Sequence, residues 1–168
     1  MGRAQVEVRP EERMRAVGII RYEGQYALAT REFVLSVLGG EFGWWDTNRP
    51  DLDDIGGFYL GEKSGFWIAL EDGKVVGTIA IKDYGKGRAY LKRMYVAKEF
   101  RGTGLARRML DTALSYARGK GFREVFLATV DEMAAAKKFY SKNGFGRISK
   151  LPEGLPDFGD NVFYRLAL

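Results

Sequence analysis

The sequence contains no cysteine and no histidine. The first absence removes disulfides, thiolate metal sites and a cysteine nucleophile. The second removes the Ser-His-Asp triad, the imidazole general base and histidine-ligated zinc, so acid–base chemistry near neutrality falls to carboxylates, Tyr, Lys or water. Nor does any stretch approach the roughly 18 successive apolar residues of a membrane span. Residues 1–8 have no signal-length apolar run, and Val6 stands where a myristoylation signal wants Ser or Thr. These absences lead us to expect a cytoplasmic protein with no membrane partner.

What is present describes a folded chain. It has 168 residues and 18.9 kDa, with 46% hydrophobic and 29% charged side chains, so we expect one domain over residues 1–168 with a core of its own. Glycine is in excess, 22 residues against an average near 7% of a chain, so some backbone here turns sharply or approaches something closely. The net charge of +5 is local. Between Arg88 and Arg108 seven Lys or Arg face one acid, Glu99, and the rest of the chain sums to −1. A single basic spot suits a small polyanion, whereas duplex nucleic acid wants a broad stripe, and no aromatic RNA-binding pattern accompanies it.

Residues 5–9 alternate polar and apolar side chains up to Pro10 and read as an opening strand. Over 11–38 the spacing of Met14, Val17 and Ile20, then Tyr26, Ala29, Phe33, Val34, Val37 and Leu38, predicts two helices broken near Gly24, with Gly39-Gly40 stopping the second. Residues 42–50 read as an aromatic, glycine-containing lid, followed by a short helix over 51–60. Asp72-Gly73 between two β-rich runs makes 66–81 a hairpin, and 88–97 adds a third strand to an antiparallel meander. A helix over 105–119 and a buried strand over 124–129 complete a parallel crossover. Another helix over 132–142, stopped at Asn143-Gly144, and strands over 145–151 and 161–168 close a mixed α/β protein.

Arg101-Gly102-Thr103-Gly104-Leu105-Ala106 joins the third meander strand to a helix. Its glycines leave backbone N–H groups uncovered beside the positive end of the helix dipole, and Arg101, Arg107 and Arg108 can add full charges. That is an anion cradle, although an ordinary glycine turn with solvated arginines has the same pattern. It is neither a dinucleotide fingerprint, since Arg107 stands where the third glycine belongs, nor a P-loop, which needs Gly-Lys-Ser/Thr.

Together with Ala136-x-x-Phe139-Tyr140-x-x-x-Gly144-Phe145, this turn resembles the paired signatures of the GNAT superfamily of N-acetyltransferases, in order and at family spacing, over about residues 66–145. The resemblance implies a GNAT-like mixed α/β sheet, an antiparallel meander followed by a parallel strand-helix-strand crossover, with helices on both faces. It implies acetyl-CoA as co-substrate and no metal. It places the pantetheine arm and thioester along Tyr95 and Val96, and the pyrophosphate on Arg101, Gly102, Thr103, Gly104, Leu105 and Ala106, with Arg107. Tyr140 falls on the family tyrosine assigned as general acid to the leaving thiolate, although a core tyrosine on an apolar helix face would give the same pattern. Ala136 matches the motif alanine. Met133 stands where many members carry an asparagine that contacts the pantetheine, and no glutamate base occurs on the third meander strand, whose polar positions are Lys92 and Arg93. Asp83, Tyr84, Glu41, Asp46 and Glu99 are the remaining base candidates.

The function expected from this is direct transfer of acetyl to a primary amine, of a small molecule or a protein, by a monomer or homodimer. The alternative is an acyl-CoA-binding sensor that kept the cradle and lost turnover. Acceptor selection is expected from the segments 41–54 and 152–160.

Overall fold

The structure, a computed structural model, describes residues 8–168. After a short helix α1 (Pro10–Arg15) comes edge strand β1 (Gly18–Arg21), then helix α2 (Ala27–Phe42), and two brief helices, α3 (Pro50–Asp53) and α4 (Ile55–Tyr59). The meander follows as β2 (Gly65–Glu71), β3 (Lys74–Asp83) and β4 (Arg88–Val96), its first turn made by Asp72 and Gly73 at positive φ. Helix α5 (Leu105–Gly119), strand β5 (Glu124–Thr129), helix α6 (Ala134–Lys142), and strands β6 (Gly146–Ile148) and β7 (Val162–Ala167) complete the chain.

All seven strands form one sheet in the order β1-β2-β3-β4-β5-β7-β6, in which β4 and β5 are the parallel neighbours and every other pairing is antiparallel. Alternation along β2 sorts its side chains to two cores: Trp67 and Ala69 face the α5 side, Phe66 and Ile68 the opposite side. On the first face α5 lays down Met109, Leu110, Ala113 and Ala117, an apolar stripe at helical spacing, and α6 adds Tyr140. On the second, Ile55 and Tyr59 of α4 pack on the sheet, while Val34 and Leu38 of α2 gather with Leu52 of α3. Among the described residues no helix is long and apolar enough to cross a membrane.

Several expectations change, and one lies largely outside the described residues. The strand read at 5–9 lies outside the described residues up to position 7, and Val8 and Arg9 are irregular backbone. The first predicted helix ends at Arg15, because Ile19 and Ile20 pair with Ala69 and Ile68 of β2 as an edge strand. Gly39-Gly40 does not stop α2. The helix runs to Phe42 and ends at Gly43, whose φ of +69° is the left-handed conformation a glycine supplies freely. Gly39 instead makes room for the Trp45 ring, which lies 2.4 Å from where its Cβ would stand. Finally, the strand expected at 145–151 shortens to β6, with Phe145 turned into the core 5.6 Å from the ring of Tyr140.

Candidate functional site

The site is built on a failure of pairing. β5 keeps β7 along its whole length, from Glu124↔Ala167 to Thr129↔Val162, but meets β4 only at Arg88↔Glu124, Ala89↔Val125 and Tyr90↔Phe126. Beyond Tyr90 the two strands part. A β-bulge at the β4 residues facing Thr78–Ala80 accompanies the departure, and Arg93 within it has φ +52°. Two features hold that unfavourable backbone: Thr78 Oγ1 donates to the Arg93 carbonyl at 2.6 Å, and the guanidinium binds both oxygens of Asp51, at 2.6 and 2.8 Å.

Two cavities flank the parted strands and share Tyr95 and Met133 in their linings. The first, about 490 Å³, runs from Tyr95 and Val96 past Arg101, Gly102 and Ala106 to Ala136 and Tyr140. Its wall at the end of β4 is an open strand edge. The Ala97 N–H donates to Val76 at 2.8 Å on the β3 side, and since successive groups of a strand face opposite edges, the Val96 N–H faces away, toward the gap.

At the far end stands the glycine turn, with Gly102 at φ +74° and Gly104 at φ +92°. No side chain caps α5, and among the described residues the N–H groups of Gly102, Gly104, Leu105, Ala106 and Arg107 make no internal hydrogen bond. Five such donors at the positive end of a helix dipole, beside a cavity, suit a phosphate or pyrophosphate. Leu105 contributes only its backbone, because its side chain is core. Thr103 turns its hydroxyl back onto the Phe100 carbonyl and shapes the turn. The charges are arranged differently from the expectation. Arg101 is held by Glu41 at 2.5 and 2.6 Å, Arg107 by Asp111 and Asn143 at 2.9 and 2.7 Å, and Arg108 by the carbonyls of Met14 and Val17. Arg101 alone of the three lines the cavity; Thr103, Gly104, Leu105 and Arg107 stand beyond it.

Tyr140 is 7% exposed and packs edge-on against Phe139 and Phe145. Among the described residues its hydroxyl has no hydrogen-bond partner, and it lines the same cavity as Tyr95. Burial, with Tyr95 nearby, pushes its phenol well above the ordinary range, so the hydroxyl is protonated at neutral pH. Met133, which lines both cavities, accepts from the Thr129 hydroxyl through its sulfur at 3.3 Å.

The second cavity, about 460 Å³, lies on the other side of Tyr95. Both segments expected to select the acceptor reach it: Trp44, Asn48, Arg49 and Asp51 from one, Phe158 and Asp160 from the other. Lys92 enters from β4 with its ammonium 3.8 Å from the centre of the Phe158 ring. Burial lowers the Lys92 ammonium from its ordinary value, opposed by Asp51 and Asp160. Burial and then Asp157 raise the Asp160 carboxyl, against the cations Lys92 and Arg93. None of the five carboxylates and phenols considered as bases lines this cavity. Glu41 lines the first and is bound to Arg101, Asp83 accepts from the Gly85 N–H in a turn, Asp46 from the Asn48 N–H, and Tyr84 packs on Tyr90. Asp160 escaped a spacing argument because it comes from an irregular segment. Among the described residues, no group of three or more acidic side chains is placed to hold a metal ion.

Comparison with known proteins identifies the family and the fold. A family model, Acetyltransferase (GNAT) family, matches residues 26–145. An acetyltransferase of that family from Staphylococcus aureus Mu50 superimposes with a TM-score of 0.87 at 32% identity, over 90% of this chain and 99% of the other. PaiA N-acetyltransferase from Thermoplasma acidophilum, solved with coenzyme A, shares the fold at a TM-score of 0.72 and 17% identity, over 90% and 99% of the two chains. A curated relative, probable N-acetyltransferase camello of Xenopus tropicalis, is 31% identical over 142 residues. Those cover 77% of this chain, but the chain spans 65% of that relative's length.

Proposed function

The chain belongs to the GNAT acetyltransferase family, and from that premise we propose that it moves an acetyl group from acetyl-CoA to a primary amine by direct attack within a ternary complex. The observation that carries this reading is that the two cavities are lined in common by Tyr95 and Met133. One is lined with unpaired amides toward the glycine turn and the other with polar and aromatic side chains, so two substrates entering from opposite sides have their reacting ends together. The coenzyme A bound by the Thermoplasma acidophilum neighbour supports the choice of co-substrate.

The free N–H groups from Gly102 to Arg107 bind the pyrophosphate, with Thr103 fixing the turn and Arg101 supplying the charge nearest the cavity. Tyr95, Val96, Met133 and Ala136 bracket the pantetheine arm, the short alanine letting it lie close to α6. Acetyl-CoA supplies an activated thioester. The Val96 N–H polarises its carbonyl, the amine nitrogen bonds to the carbonyl carbon as the C–S bond breaks, and the Tyr140 hydroxyl gives its proton to the leaving thiolate and is restored, through water, by the proton the nitrogen loses on becoming an amide. With no cysteine in the sequence, no thiol relay intervenes. The acceptor is a small-molecule or protein amine held in the second cavity.

Incubation with acetyl-CoA and a panel of amines, following free thiol and the mass of each amine, tests the reading. Amine-dependent thiol release with a matching gain of one acetyl group is expected. Thiol release absent for every amine, with acetyl-CoA bound, would make the chain a binding module.

A further inference from the structure

The second cavity has a charge pattern that the transfer reaction alone does not require. Asp51 is fully engaged, holding Arg93 through both oxygens and accepting from the Tyr59 hydroxyl at 2.5 Å, so that pair is neutral toward a ligand. Three charged groups remain. Lys92 has no carboxylate within ion-pair distance among the described residues and rests on an aromatic ring. Arg49 is three-quarters buried, its Nε lacks a hydrogen-bond partner, and its one ion contact is Asp46 at 3.5 Å. Asp160 makes neither hydrogen bond nor ion pair among the described residues.

The Tyr90 hydroxyl, in a side chain 2% exposed, is also without a partner. Its ring lines the cavity and packs edge-on against the rings of Phe158 and Tyr84, with centroids 5.7 and 5.9 Å away. Buried donors left unpaired are costly, and proteins keep them where a ligand completes the bonding. Here the unpaired donors outnumber the unpaired acceptors among the described residues: the Lys92 ammonium, the Arg49 Nε and the Tyr90 hydroxyl against one carboxylate. A diamine or polyamine would set a second positive charge against Lys92 and Arg49. A molecule with one amine and one anionic group satisfies both ends.

Resting on the acetyl-transfer reading above, we propose that the acceptor amine carries an anionic group on the same molecule, with Asp160 drawing the ammonium end and Lys92 and Arg49 binding the anion. The bulge brings Lys92 and Tyr95 opposite Ala80 and Thr78, two residues apart on β3, so along the sheet they stand roughly 7 Å apart at about 3.3 Å per residue, a span within the reach of a lysine side chain. Trp44, Phe58 and Phe158 line the space between and favour an apolar or aromatic linker.

The test uses amines matched in all but the anion: 6-aminohexanoate against hexane-1,6-diamine, and phenylalanine against 2-phenylethylamine, with thiol release read at saturating acetyl-CoA. The expected kcat/KM is about tenfold or more higher for the carboxylate-bearing member, as a charged hydrogen bond in a half-buried site allows. Arg49→Ala should lower only that member's kcat/KM. Lys92→Glu should reverse the order toward the diamine, and stabilisation by acetyl-CoA reports that each variant is folded. Equal or better use of the diamine and phenylethylamine by the unaltered protein, or an order unchanged in folded Lys92→Glu, overturns the proposal. So does a panel in which neither member reacts while acetyl-CoA still raises the melting temperature, an outcome that leaves acetyl-CoA binding intact. Absence of that stabilisation would bring down the underlying reading as well.

Discussion

Arg93 and Asp51 form a bidentate ion pair with side chains only 14% and 8% exposed, and it holds open the strand gap on which the site depends. The arginine sits in the bulge of β4 at positive φ, a conformation uncommon for a residue other than glycine and held here by its surroundings. Asp51 is presented by α3, on the opposite face from α5. The ion pair therefore ties the segment bearing Trp44 and Arg49 to the strand bearing Tyr95.

Asp51→Ala should destabilise the fold by about 3 kcal/mol or more, because it leaves the Arg93 charge buried without its partner. The pair also predicts a pH dependence. Burial alone would raise the Asp51 carboxyl, but the hydrogen bonds and charge of Arg93, with Tyr59, outweigh it and leave the value below ordinary. A carboxyl depressed in the folded state stabilises fully above its unfolded value, near 3.9, and loses that contribution as pH falls toward the folded value. The gap in melting temperature between the unaltered protein and Asp51→Asn should thus narrow below about pH 4. A gap constant from pH 7 to 3 would contradict the assignment.

Gly104→Val should abolish most CoA binding, whereas Lys120→Ala, past the end of α5, should leave it intact. The φ of +92° at Gly104 is strained for any β-branched residue, and the side chain would stand over the free amides. At ligand a hundredfold above Kd, binding stabilises by about 2.7 kcal/mol, which a thermal melt resolves. Equal stabilisation of both folded variants would move the cradle elsewhere.

Arg101 has two possible partners, Glu41 and a bound phosphate. Glu41→Gln should release the guanidinium and tighten CoA binding, by less than about fivefold given the modest strength of a part-exposed pair. Arg101→Ala should weaken binding with a loss that shrinks at high salt. Titration calorimetry at two ionic strengths distinguishes these effects from a structural role for Glu41, in which Glu41→Gln would weaken binding.

The parts of this architecture that repeat with a period were readable from the residues. The meander, α5 and β5 each carry an apolar pattern tied to one face, and the turn expected at Gly102 and Gly104 between strand and helix is there, with both glycines at positive φ. Residues 11–22 misled because Met14, Val17 and Ile20 satisfy helical spacing while Ile19 and Ile20 gain more by pairing with β2. The acceptor side was harder. Asp51, Lys92 and Asp160 come from three unrelated segments and are brought together only by the parting of β4 from β5, which no local pattern encodes. Even Arg101, present in the motif, was not legible as a partner of Glu41, 60 positions away.

The central claim is that acetyl leaves a thiolate beside Tyr140, and single-turnover thiol release by Tyr140→Phe tests it most directly. Phenylalanine keeps the ring against Phe139, Phe145 and Tyr164 and removes only the hydroxyl, so folding and acetyl-CoA affinity should hold. With saturating acetyl-CoA and a reactive amine, product release cannot mask the chemical step. The account predicts a loss of about 100-fold or more, some 2.7 kcal/mol of barrier, as expected when a general acid is deleted. A rate within about threefold of the unaltered protein would contradict it and leave Tyr140 a packing residue.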